Sequence, residues 1–240
     1  MRAYGENAAT FLIFQALADQ PGALETVFFP RLKQFGTGMR RTWPDLMDPQ
    51  VWLFPNFGKR FGFGEPDVLI IAGTSAFWIE VETTVNGRSG IAHLRRALLQ
   101  LWRFRLFQAA LAGPREVING HRRIVGQTLT DQLIERRAEL VCKGHRVLKK
   151  IGRRLTGIKD HHYVLFTVNK PNGEGGAGLG YAAVLERELH TLSAVASPGL
   201  PLLERERCWY AYWRGDLETP FNNLGGPPFR LDDCYVGKAT

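Results

Sequence analysis

The sequence predicts an α/β fold, in which a mixed central sheet is flanked by helices and carries an appended basic helical segment. Three observations predict it. Two β-branched apolar runs, Val68 to Ala72 and Phe77 to Val81, surround a Gly-Thr-Ser turn and read as a short antiparallel hairpin. Helical stretches stand before and after that hairpin, at 6–19 and 91–112. A later apolar run, His161 to Val168, reads as a further buried strand.

The chain has 240 residues, with 45% hydrophobic and 22% charged content, which is the composition of an ordinary globular protein able to bury a sizeable core. A single unit is expected over 1–240. Its core spans about 6–112 plus the strand 161–168, with a basic helical insertion at about 128–156 and a C-terminal extension at 181–240. No run approaches the roughly 18 apolar residues of a membrane span. Glu6 and Asn7 near the start do not fit a signal peptide. These features lead to the expectation of a cytoplasmic protein without a membrane partner. Cys142, Cys208 and Cys234 are odd in number and far apart, so they form neither a disulfide framework nor a metal knuckle. A net charge of +8 points to a polyanionic partner, with nucleic acid foremost.

Residues 6–19 carry apolar side chains densely enough for a buried helix, which Pro21-Gly22 stops. Glu6 stands at the start of the stripe formed with Ala9 or Thr10, Ile13 and Leu17, where a carboxylate also complements the helix dipole. Residues 21–64 mix aromatics with Pro and Gly and predict short strands and loops. Within them, Asn56 to Gly64 brings Lys59 and Arg60 among phenylalanines, a composition that suits either a loop tracking a phosphate backbone or aromatics packed beneath a loop.

In the hairpin, pairing Ala72 with Ser75 sets Asp67 opposite Glu80, at roughly 4.5–5.5 Å between Cβ atoms. Alternation then puts Trp78, Glu80 and Glu82 on one face and Phe77, Ile79 and Val81 on the other. Three carboxylates gathered at one end of an apolar hairpin repel one another unless protons or a cation compensate. Hard oxygen donors of this kind suit Mg²⁺, which takes one or two carboxylates and keeps waters or phosphate oxygens in its other positions. A metal phosphodiesterase site is one interpretation. The other is a solvent-facing hairpin end whose glutamates pair with arginines.

Asn86 to Gly90 reads as a turn, followed by a helix from about Ile91 to Ala112 that carries Arg95, Arg96, Arg103 and Arg105. Gln100 and Phe104, one turn apart, share a helix face. Residues 128–156 predict a helical segment whose second half is strongly basic and includes Lys149, Lys150, Arg153 and Arg154. Such a face suits either a DNA backbone or an acidic membrane surface. His161 and His162 point to opposite faces of their strand and cannot easily chelate one ion, so they are expected as polar residues at a strand edge. Gly173, Gly175 and Gly178 predict a glycine loop without the partners of a dinucleotide site. Residues 181–196 predict a helix, Cys208 to Trp213 a strand, and 220–240 an irregular tail.

Pro66-Asp67, then Glu80-x-Glu82 thirteen residues beyond Asp67, resembles the motif of the PD-(D/E)xK nuclease superfamily. The resemblance covers about residues 6–110 and departs from the usual pattern at Glu82, where most members carry Lys. It implies a restriction-endonuclease-like core and a metal-dependent DNA nuclease acting in DNA defence, repair or mobile-element processing. Mg²⁺ would be the cofactor, with Mn²⁺ able to substitute. Asp67 and Glu80 are then the metal ligands, with Glu6 a further one, and Glu82 orients or deprotonates the attacking water. Gln100 to Phe104 is similar to the Gln-x-x-x-Tyr element of exonuclease-like members, with Phe in the last place. DNA contacts are expected from Lys59, Arg60, Arg95, Arg96, Gln100, Arg103, Lys149, Lys150, Arg153 and Arg154. Partners would be DNA and either a second copy of the chain or another protein of a DNA-processing complex. The alternative is a catalytically inactive DNA-binding or assembly subunit on the same core.

Overall fold

The computed structural model describes residues 6–43, 45–55, 65–82, 87–112, 151, 154–155, 157–170, 180–196, 201–226 and 228–231. The elements are α1 (Glu6–Asp19), β1 (Lys33–Gln34), β2 (Gln50–Leu53), β3 (Val68–Ala72), β4 (Ser75–Glu82), α2 (Gly87–Ala112), β5 (Asp160–Thr167), α3 (Tyr181–Val195), β6 (Cys208–Tyr212) and α4 (Glu218–Asn222). The strands form one six-stranded mixed sheet, ordered β1-β6-β5-β4-β3-β2. Strands β2, β3 and β4 pair antiparallel in succession, whereas β4, β5 and β6 run parallel to one another. The chain is therefore α/β with a mixed open sheet flanked by helices.

The predicted register is present: Ala72 pairs with Ser75 and Val68 with Ile79. A two-residue loop, Gly73-Thr74, closes the hairpin. Gly73 has a φ of +56°, and a Cβ there would run into the Asp45 carbonyl, so the turn requires glycine. The alternation is also present. Val68, Ile70, Phe77, Ile79 and Val81 pack with α1 on one face. Leu69, Ile71 and Trp78 pack with α2 and α3 on the other. Burying both faces explains why these strands read as nearly continuous apolar runs.

Three elements differ from the sequence expectation, one of them α4, which runs on to Asn222 within the stretch expected as an irregular tail. Helix α2 starts at Gly87, within the stretch expected as a turn. His161 and His162 do point to opposite faces, but β5 is a central strand and both side chains are buried, at 3% and 5% exposure. An indole satisfies each: Trp78 Nε1 donates to His161 Nδ1 at 3.0 Å, and Trp209 Nε1 donates to His162 Nδ1 at 3.3 Å. Burial, reinforced by nearby arginines, holds both imidazoles far below the usual histidine range, at about 3, so they are neutral core residues.

Of the basic segment, Ile151, Arg154 and Leu155 are described in helical conformation. Ile151 and Leu155 are buried against the α2 and α3 side of the sheet while Arg154 is exposed. Residues 128–150 and the glycines of 173–178 lie outside the described residues.

Candidate functional site: carboxylates at the open end of the hairpin

The hairpin ladder ends at Val68 and Ile79, and the next residue of each strand is an acid. Asp67 turns its side chain back to the partner strand, where Oδ2 accepts the Val81 N–H at 2.8 Å. Its own carbonyl accepts the Phe54 N–H at 2.9 Å, so β2 and β4 fix the position of Asp67 from both sides. Half-buried Asp67 thus stands level with half-buried Glu80, as the register requires.

Glu80 and Glu82 lie on the α2 side of the sheet, on the same face as Trp78. Arg103 of α2 is near enough to Glu80 to feel its charge. Burial lowers the pKa of this guanidinium, and the Glu80 charge acts in the opposite direction, which makes the two an electrostatic pair beneath the helix. Arg103 also donates from Nη1 to Gln100 Oε1 at 3.1 Å, so Gln100 holds the guanidinium on α2. Glu82 is more deeply set, 7% exposed, and its Oε2 lies 3.5 Å from His93 Nδ1. Across the sheet Glu82 pairs with Thr167, and Thr167 with Tyr212, extending a polar row over the carboxyl ends of three parallel strands. Ligand sites of open α/β sheets lie at that edge.

Arg95 is drawn away from this group. Its Nε meets Glu188 Oε2 at 2.6 Å, and Arg187 reaches the other oxygen of the same buried carboxylate at 3.3 Å, so Glu188 ties α2 to α3. Arg96 and Arg154 are exposed. Lys59, Arg60, Lys149, Lys150 and Arg153 lie outside the described residues, and only the helical backbone of Glu6 is described.

Two participants have no local sequence signal. His93 reaches Glu82 only because α2 crosses the end of β4, and Glu188 finds Arg95 across a helix pair. Neither spacing has a periodicity that marks it.

Among the described residues, no three of His, Cys, Asp and Glu stand close enough together to hold a metal ion. The smaller set, Asp67 with Glu80, has the donor chemistry of Mg²⁺, which needs only one or two protein carboxylates. The chain matches no family model, no curated protein and no solved structure.

Proposed function

We propose that the protein is a Mg²⁺-dependent DNA nuclease with a restriction-endonuclease-like core, in which Asp67 and Glu80 are the metal ligands. The observation that carries this reading is the hairpin register, which sets Asp67 level with Glu80 at the end of two buried strands. The net charge of +8 and the arrangement of hairpin, α2 and parallel β5 about one sheet support it further.

The chain's own groups divide the work of phosphodiester hydrolysis. Asp67, anchored on the Val81 N–H, presents a carboxylate of fixed orientation. Glu80 presents the second, within the electrostatic reach of Arg103. Glu82 stands where a lysine is usual and takes the role of holding and deprotonating the attacking water, with His93 against its outer oxygen. Arg103, whose charge reaches Glu80, would supply the positive charge that this lysine otherwise brings. A bound divalent ion lowers the pKa of its water and neutralises charge on the phosphoryl oxygens. Arg96 and Arg154, both exposed, are suited to phosphate contacts, as are Lys59, Arg60, Lys149, Lys150 and Arg153 by their charge.

A labelled DNA duplex and a single strand incubated with Mg²⁺ or Mn²⁺ test this. Asp67→Asn and Glu80→Gln should each lower cleavage by about a hundredfold or more, since even outer partners of metal ligands cost about 10–100-fold. Undiminished cutting by both variants would overturn the assignment.

Burial of Glu82 against His93 favours a second reading: a nuclease-like subunit that binds DNA without cutting it, within a larger assembly or as a homodimer. Salt-sensitive DNA binding with no cleavage under either metal distinguishes this from the enzyme.

A further inference from the structure

Behind β1, on the side of the sheet away from Glu80 and Glu82, is a pocket of about 360 Å³ whose lining includes Glu25, Phe29, Pro30, Arg40, Arg41 and Trp43. Trp43 packs on Phe77, His162 and Trp209, residues of the α1 face. The carboxylate site is on the opposite face, so the two are separate.

Both arginines are exposed yet held. Arg40 Nη2 is 3.0 Å from Asp216 Oδ1, a carboxylate whose side chain is 7% exposed. The Arg41 guanidinium sits 5.1 Å from the Trp43 ring centre. Holding guanidiniums before a ligand arrives lowers the ordering cost of binding. The surroundings are strongly positive. Asp216 is shared by Lys33, at 3.4 Å, and Arg40, and its charge is also felt by Arg31, whose guanidinium is lowered in pKa by burial and by Arg40. Lys33, Arg31 and Arg40 thus share the charge of Asp216, and Glu25 lines the pocket. Arg40 and Arg41 both line the pocket, and guanidinium groups suit phosphate. Phe29 and Pro30 provide apolar wall, and Glu25 is an acceptor for an N–H donor. One small-molecule class carries an anionic phosphate, a flat apolar body and N–H donors at its far edge.

We propose that this pocket binds a nucleoside monophosphate, either free or as the phosphorylated end of a nucleic-acid strand, with its phosphate on Arg40 and Arg41 and its base edge toward Glu25. The size fits, because small-ligand pockets run from about 300 to 1,000 Å³. This proposal does not depend on nuclease activity.

Calorimetric titration of the 240-residue protein in EDTA tests it, using deoxyguanosine monophosphate, deoxyguanosine and inorganic phosphate. The monophosphate should bind tighter than either of its parts. Arg41→Ala, which removes a side chain held only on the Trp43 ring among the interactions above, should weaken it by about tenfold or more. Glu25→Gln should weaken the monophosphate and deoxyguanosine while leaving inorganic phosphate unaffected. Asp67→Asn, on the other face, should leave all these affinities as they are. Preference for a 5′-phosphorylated oligonucleotide over its 5′-hydroxyl form, beyond the mononucleotide, assigns the pocket to a strand end, whereas a stronger mononucleotide assigns it to the free ligand. No binding of the monophosphate at millimolar concentration, or equal affinity in parent and Arg41→Ala, overturns the proposal. So does binding lost in Asp67→Asn but kept in Arg41→Ala.

Discussion

The Asp67 carboxylate and the Val81 amide are joined at 2.8 Å, so one acidic side chain closes the hairpin ladder at the place where a second, Glu80, stands beside it. Asp67 therefore has a structural duty as well as its proposed catalytic one. The two separate by substitution. Asp67→Ala leaves the Val81 N–H without its acceptor and should cost about 1–3 kcal/mol in urea unfolding. Asp67→Asn keeps a carbonyl acceptor and should cost clearly less. Equal losses would mean that the Val81 bond contributes little.

Glu80 acts electrostatically on Arg103 of α2, whose burial weakens the competition from water. A double-mutant cycle with Glu80→Gln and Arg103→Gln should give a favourable coupling on the order of 1 kcal/mol. Additive losses would place the two charges in independent environments.

His161 and His162 link folding to acid. Both are held neutral in the folded chain, with pKa values of about 3, against roughly 6.5 when unfolded. Between those limits the unfolded chain binds more protons, so stability is fully present above pH about 6.5 and falls as the pH drops toward about 3. Each histidine contributes a slope of up to about 1.4 kcal/mol per pH unit. Unfolding midpoints from pH 7 to 4 should therefore flatten in His161→Asn and in His162→Asn, whose amide oxygen can still accept the indole N–H. A parent curve already flat over that range contradicts the pairing.

Two glycines at positive φ separate backbone strain from collision. Gly22, at +75°, has open space where a Cβ would stand, whereas at Gly73 the Cβ would meet the Asp45 carbonyl. Gly22→Ala should cost about 1 kcal/mol for the left-handed conformation alone. Gly73→Ala should cost more, as loss of thermal midpoint will report.

Much of the hairpin was legible because its determinants are local. Two apolar runs, a glycine where the turn needs one, and period-two alternation specify both the Ala72 to Ser75 pairing and the face on which Glu80 and Glu82 lie. Pairings made by tertiary contact were not legible. Arg95 reads as a free helical cation until Glu188 of α3 is placed beside it, and nothing near Glu82 announces His93. His161 and His162 were misplaced at an edge for the same reason. Polar residues opening a strand suggest solvent, and only the order β6-β5-β4 shows that two tryptophans cover them. The start of α2 was set too late because glycines in its first turn resemble a loop.

Calorimetric titration of Mn²⁺ into the parent protein and into Asp67→Asn, each with and without a short DNA duplex, tests the metal assignment most directly. Binding by the parent that is lost in the variant is the result predicted for a site held by Asp67 and Glu80. Equal binding in both proteins, or none in the parent even with DNA present, contradicts it.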